Sequence, residues 1–241
     1  MEDGKKECTM SSLMKALPLV ASMLGDKLGV KVVVGSSDTA STNGDTIFLP
    51  PMHVEDEGSL YPLISGFIDH EAAHIRHTDF LNIKYSKLSH LEKHLTNSIE
   101  DWRVEHEIIK RYPGCRDHFL WLIRHFFLDD TKAEEIVSPA FSLLDYILLT
   151  LRSWDVPELL PQVSVHAKVI DTYWSDLREK IDQILNKLPS SCASTKHSIR
   201  FSRKIVRLIK QEAADIILQL QEEKMAEEGQ TQDQTPSNSP V

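Results

Sequence analysis

The sequence predicts an α+β chain that is predominantly α-helical, with one small β-sheet near its N-terminus. Two observations carry most of that expectation. The convincing β-branched runs are confined to residues 31–35 and 46–50, separated by a turn-rich segment. From Gly58 onward, apolar residues recur at three- and four-residue steps, the spacing of helices that bury one face.

Residues 11–27 read as an amphipathic helix, with Ser11 or Ser12 as N-cap and Pro18 expected to kink or split it. Gly29 stops it. Lys31-Val32-Val33-Val34-Gly35 reads as a strand. Ser36 to Gly44 is rich in Ser, Thr, Asp and Asn and reads as a loop, with Asn43-Gly44 as a turn signal. Thr46-Ile47-Phe48-Leu49-Pro50 is the second strand. Helices are expected over 59–78, 84–111, 115–128, 132–153, 163–188 and 195–226. The last shows its stripe clearly in Ile205, Leu208, Ile209, Ala213, Ile216, Ile217 and Leu220. From Gln221 the pattern dissolves into acidic and then small polar residues, so 227–241 is expected to be a disordered tail or linker. Residues 1–226 are thus expected to form one domain.

Composition narrows the classes. The chain has 241 residues, 41% hydrophobic and 26% charged, as globular soluble proteins do. No apolar run reaches a membrane-spanning length. Met1 to Thr9 is polar and leads into no signal-peptide core, so a cytoplasmic protein without a membrane partner is expected. Against 36 acidic residues stand 27 basic ones, a net charge of -9 that disfavours non-specific nucleic-acid binding. Lys196, Arg200, Arg203, Lys204, Arg207 and Lys210 nevertheless form a basic stripe at helical spacing. It reads as a solvated helix face or a dock for an acidic tail, with nucleic acid the minority reading. Cys8, Cys115 and Cys192 have no CxxC spacing, which argues against a disulfide framework and a cysteine-rich zinc site.

The informative segment is His70-Glu71-Ala72-Ala73-His74, an HExxH motif on a predicted helix. Residues four apart share a helical face, so both imidazoles can reach one ion. Zinc is the default for such a pair, one ion per chain. Glu71 is the candidate catalytic residue: it would take a proton from a water at the ion and pass it to a leaving amine. A coincidental motif is the competing reading, but Leu63, Ile64, Phe67 and Ile68 give the helix a buried face. Small Ala72 and Ala73 allow close approach of a neighbour.

A catalytic site needs a third protein ligand. The metzincin pattern would require Gly at 77 and His at 80, where this chain has His77 and Phe80. A carboxylate from a second helix is the alternative, and Asn97-Ser98-Ile99-Glu100-Asp101-Trp102-Arg103-Val104-Glu105 offers one. Glu100 is the first choice as ligand and Asp101 the second. Asn97 and Arg103 are candidates to hold the carboxylate or the histidines in orientation. An exposed, charge-laced helix is the competing reading of this segment. Asp79 is expected either to cap the next helix or to bond a ligand histidine. His77, His94 and His106 are weaker candidates that read as surface groups.

Taken in order, the strand pair over 29–50, HEAAHIRHTDF over 70–80 and NSIEDWRVE over 97–105 resemble the N-terminal domain of CobT-like proteins. These are named after the cobalt-chelatase T subunit, and many are encoded by phages and mobile elements. The resemblance covers about residues 10–115, which it implies are the core of the domain, with 116–226 as a helical extension. It implies a zincin-like fold of the gluzincin type, with metallopeptidase chemistry on a peptide or protein substrate. Such proteins usually continue through an acidic linker into a von Willebrand A domain with a DxSxS motif, and they work with a MoxR-type AAA+ ATPase. This chain contains no DxSxS, which weakens the expectation of that partner. In zincins the substrate lies extended along an edge strand beside the metal helix. Thr46, Ile47, Phe48 and Leu49 are expected either to present that edge or only to pack on the core.

The leading reading is a zinc metallopeptidase-like protein, with His70, His74 and Glu100 on the metal and Glu71 as base, then acid. The alternative is a non-catalytic CobT-like module that docks the ATPase, with a structural or vestigial metal site.

Overall fold

The computed structural model describes residues 10–35, 39–51, 57–128, 138–174 and 176–232. The architecture is predominantly helical, with a three-stranded sheet near the N-terminus. Helix α1 (Met10–Leu24) buries Leu17, Ala21 and Leu24 and runs through Pro18 without dividing. The sheet comprises β1 (Lys31–Val34), β2 (Ser41–Thr42) and β3 (Thr46–Leu49). Its order is β1-β3-β2. β1 runs parallel to β3, pairing Lys31 with Thr46 and Val34 with Leu49. β2 is antiparallel, pairing Ser41 with Phe48 and Thr42 with Ile47.

The turn between β2 and β3 follows from its residues. Asn43 Oδ1 accepts from the backbone N–H groups of Asp45 and Thr46 at 3.0 and 2.9 Å. Gly44 takes a φ of 94°, a conformation that a side chain would strain. β2 lies within the expected loop over 36–44, of which residues 36–38 fall outside the described residues. Two residues are too few to show alternation in a sequence.

The sheet corrects one expectation. Thr46 to Leu49 form the central strand, paired on both sides, so this backbone has no free edge for a peptide. Ile47 and Leu49 are fully buried with Leu17, Val30, Ile64 and Ile68. The strand packs on the core, and the edges belong to β1 and β2.

Helix α2 (Glu57–His77) carries the HExxH segment. Ile64 and Ile68 face the sheet, while Ala72 and Ala73 pack with Val104, Ile108 and Phe119. At Gly66 the chain of Leu122 comes so close that an added Cβ would lie 2.5 Å from its Cγ. Glycine therefore sets how near α2 sits to α5 (Cys115–Phe127).

The expected helix over 84–111 is two helices, α3 (Phe80–Tyr85) and α4 (His90–Arg111). Lys87 adopts a φ of 48°, which ends α3. Ser89 and Glu92 then form a capping box that starts α4. Every residue from Ser98 to Glu105 on α4 is buried, four of them charged. The competing picture of an exposed, charge-laced helix is thereby excluded.

Further on come α6 (Pro139–Ser153), a 3-10 turn (Pro157–Leu159), α7 (Leu160–Tyr173), α8 (Leu177–Leu185), α9 (Leu188–Ser191) and α10 (Thr195–Gln232). The expected start of α6 at 132 lies outside the described residues; the helix is seen from Pro139, capped by Ser138. The expected single helix over 163–188 is divided into α7 and α8 with breaks at Trp174 and Asn186. α10 continues six residues beyond the expected end at 226, and 233–241 lie outside the described residues. The largest core joins α4, α6, α7, α8 and α10 through Ile99, Trp102, Ile147, Ile170, Ile181 and Ile205. α4 therefore meets α2 on one side and the C-terminal helices on the other. Cys115 and Cys192 are buried free thiols. Among the described residues no helix is long and apolar enough to cross a membrane.

Candidate metal centre

The local periodicity of α2 puts His70 and His74 one turn apart, with ring centroids 4.9 Å from each other. α4 crosses behind them and delivers Asp101. Ligating atoms of His70, His74 and Asp101 all lie within 4.8 Å of one another. Asp101 Oδ1 is 3.1 Å from His74 Nε2 and 3.9 Å from His70 Nε2. Its other oxygen, Oδ2, accepts from Asn97 Nδ2 at 3.1 Å and lies 3.6 Å from Arg152 Nη2. One Asp101 oxygen is thus held by the protein and the other faces the histidines.

Both imidazoles are fixed from behind. His70 Nδ1 lies 2.8 Å from Glu105 Oε1, and Glu105 Oε2 accepts from Arg152 Nη1 at 2.5 Å. Burial alone would raise the Glu105 carboxyl, but Arg152 and the His70 bond outweigh it and hold it below its ordinary value. An ionised carboxylate only accepts, so His70 Nδ1 carries the proton and Nε2 is the atom turned to the cluster. His74 Nδ1 lies 2.9 Å from Thr78 Oγ1, which donates to Glu100 Oε1 at 3.0 Å. The single Thr78 hydroxyl proton is used on Glu100, so His74 Nδ1–H donates to Thr78 and Nε2 again faces inward. Burial acts against the His70 cation, but the Glu105 bond and the charges of Asp101, Glu105 and Glu71 prevail and push this imidazole up to about 9.

Glu100, the first choice as third ligand, is occupied otherwise. Its Oε1 accepts from Arg103 Nη2 at 2.6 Å, Thr195 Oγ1 at 2.7 Å and Thr78. Its Oε2 accepts from Ser198 Oγ at 2.7 Å and Arg103 Nε at 2.9 Å. Five donors leave no lone pair for an ion. Burial would raise this carboxyl, yet Arg103, Ser198 and Thr195 hold it low. Glu100 borders the cleft but supports the site through Thr78; Asp101, the second choice, is the carboxylate that reaches the histidines. The two are neighbours in sequence, and the crossing of α10 decides between them.

Other candidates take definite places. Asn97 holds Asp101, as expected. Arg103 binds Glu100 and donates to the His77 carbonyl at 2.7 Å. Asp79 caps α3, accepting from Asn82 N at 2.8 Å, and takes no part in holding a histidine. His77 has a buried Nε2 without a partner among the described residues. His94 is exposed, whereas His106 is half-buried and lies 3.3 Å from Asp155. Sequence reasoning missed Thr78, Glu105, Arg152, Thr195 and Ser198 as groups of the site. Glu105 was findable, because it stands one turn beyond Asp101. Arg152, Thr195 and Ser198 carry no local signal.

The cluster forms the floor of a cleft of about 370 Å³. One wall is Ala40, Ser41 and Thr42, at the β2 edge; the other includes Phe80, Ile83 and Leu88, with Lys93 also lining the cleft. Glu71 lines the floor beside the histidines. Among the described residues nothing hydrogen-bonds its carboxylate. Burial raises this carboxyl above its ordinary value, with His70 and His74 acting in the opposite sense. Comparisons with protein-family models, curated proteins and solved structures found no match to this chain.

Proposed function

We propose that this chain is a zinc-dependent metallopeptidase-like hydrolase, with His70, His74 and Asp101 as ligands and Glu71 as general base. The observation that carries the proposal is the convergence of three ligating atoms within 4.8 Å on the floor of a cleft that Glu71 also lines. Two neutral imidazoles and one carboxylate are the donor set of a catalytic zinc, with a fourth position left for water or substrate. Ligand atoms around a tetrahedral ion with bonds of roughly 2.0–2.1 Å stand about 3.3 Å apart; Asp101 Oδ1 stands 3.1 Å from His74 Nε2 and 3.9 Å from His70 Nε2, so a small contraction of the set would close it on an ion. The CobT-like resemblance of residues 10–115 supports the same reading, with Asp101 in the role first given to Glu100.

Bound there, zinc would polarise a carbonyl and acidify water towards neutral pH. The residues of the chain do the rest. Glu105 and Thr78 fix the two imidazoles, and Asn97 and Arg152 fix Asp101. Glu71, partly desolvated and without a hydrogen bond among the described residues, takes a proton from the attacking water and returns it to the leaving amine. An extended peptide would lie along the β2 edge at Ala40 to Thr42, the strand edge that borders the cleft.

Metal content by plasma mass spectrometry, on protein prepared without a histidine tag, is the direct test. About one zinc per chain is expected, together with hydrolysis of a denatured protein substrate that Glu71→Gln lowers by roughly 10²–10⁴-fold while zinc is retained. Absence of metal after zinc is added back would overturn the proposal. Zinc without Glu71-dependent hydrolysis would leave the alternative, a module that docks a MoxR-type ATPase.

A further inference from the structure

The basic stripe on α10 is not used by the metal centre. Lys196, Arg200, Arg203, Lys204 and Arg207 line a groove of about 520 Å³, closed on its other side by Asn82 and Ser86. Arg203 is anchored: it donates to the Ser86 carbonyl at 2.7 Å and lies 3.7 Å from Glu92. Lys204 stands over the Phe201 ring at 5.5 Å. Lys196, Arg200, Lys204 and Arg207 form no ion pair among the described residues, although the chain carries a net charge of -9. Unpaired cations gathered in one concave strip of an acidic protein make a local attractive field.

α3 connects this groove to the cleft. Phe80 and Ile83 line the cleft, while Asn82 and the C-cap Ser86 line the groove. One short helix is thus the partition between the two. Lys93, which lines the cleft, has the same sign of charge.

We propose that the groove docks an acidic stretch of a protein substrate and holds it beside the cleft; this rests on the peptidase reading above. The stripe from Lys196 to Arg207 rises about 17 Å along the helix, the length of about five extended residues. A short acidic run fits it. A nucleic-acid strand would continue past the stripe over the surface of a chain with net negative charge, at a distance where the groove is screened within about 8 Å.

Fluorescence anisotropy on the full chain, with a short fluorescein-labelled oligoglutamate peptide, tests the proposal. Saturable binding that weakens with salt is expected. The double variant Arg200→Glu/Arg207→Glu should weaken it by about tenfold or more. Lys31→Glu/Lys168→Glu, which makes the same change of net charge at two exposed lysines outside the groove, should leave it unchanged. Absence of binding at low salt, equal losses in both double variants, or tighter binding of a single-stranded oligothymidylate of equal charge would each overturn the proposal. The readout needs no hydrolysis, so the two readings fail separately. Zinc-dependent hydrolysis without oligoglutamate binding removes the groove and keeps the peptidase. Groove-dependent binding in a chain that neither holds zinc nor cuts peptide keeps the acidic-peptide site and removes the peptidase.

Discussion

Glu100 and Asp101 are adjacent on α4, both buried and both acidic, yet they serve two different regions. Asp101 faces α2, where one of its oxygens is braced by Asn97 and Arg152 and the other stands before two histidines. Glu100 faces α10, where Arg103, Thr195 and Ser198 surround it and Thr78 closes the set. A carboxylate is available as a ligand when one of its oxygens meets only the other candidate ligands. A carboxylate that is saturated becomes a brace. Residue type cannot separate these outcomes; the supply of neighbouring donors can.

The largest expected effect is on metal content. Asp101→Ala should lower bound zinc from about one per chain to near zero by plasma mass spectrometry, while Glu100→Gln should retain most of it. The reverse pattern would exchange the roles of the two residues. Next in size is folding stability. Glu100→Ala leaves the Arg103 charge buried without its carboxylate and should cost about 3–5 kcal/mol, read as a fall in the urea midpoint. A loss as small as that of a surface change would mean the cradle around Glu100 is not formed.

Smaller effects sharpen the picture of the braces. Glu105→Gln, which weakens the hold on His70, should reduce zinc affinity by roughly 10–100-fold in chelator competition. Thr78→Val should fall at the low end of that range, because it removes a neutral relay. The smallest expected effect is in acid. Glu100 has its folded carboxyl held below the ordinary value of 4.5, so its contribution is present above that pH and is lost as pH falls through the lower folded value. Glu100→Gln should therefore show a shallower decline of stability in acid than the wild type, measured by urea titration across that range.

The parts of this arrangement that were legible in the sequence are the local ones. HExxH fixes two histidines on one face through helix geometry alone, and the apolar stripe of α2 gives the helix itself. The Ser89–Glu92 capping box was also readable and would have separated α3 from α4. The choice between Asp101 and Glu100 was not legible, because they differ by about 100° around α4 and the answer depends on which helix meets each side. Thr195 and Ser198 reach Glu100 across 95 and 98 residues of chain. The position of β3 inside the sheet was hidden for a related reason. Its second partner, β2, is two residues long and sits in a segment whose composition reads as loop.

Arg152 touches both Asp101 and Glu105 from α6. Its position makes the division at residues 115 and 116 a poor seam for recombination. A segment of 10–115 moved alone into another protein would carry both histidines, Glu71 and Asp101. It would leave behind Arg152, Thr195 and Ser198, so Glu105 would lose its cation and the Glu100 cradle two of its hydroxyls. The inherited unit of this site is therefore larger than the stretch of chain that bears its motif.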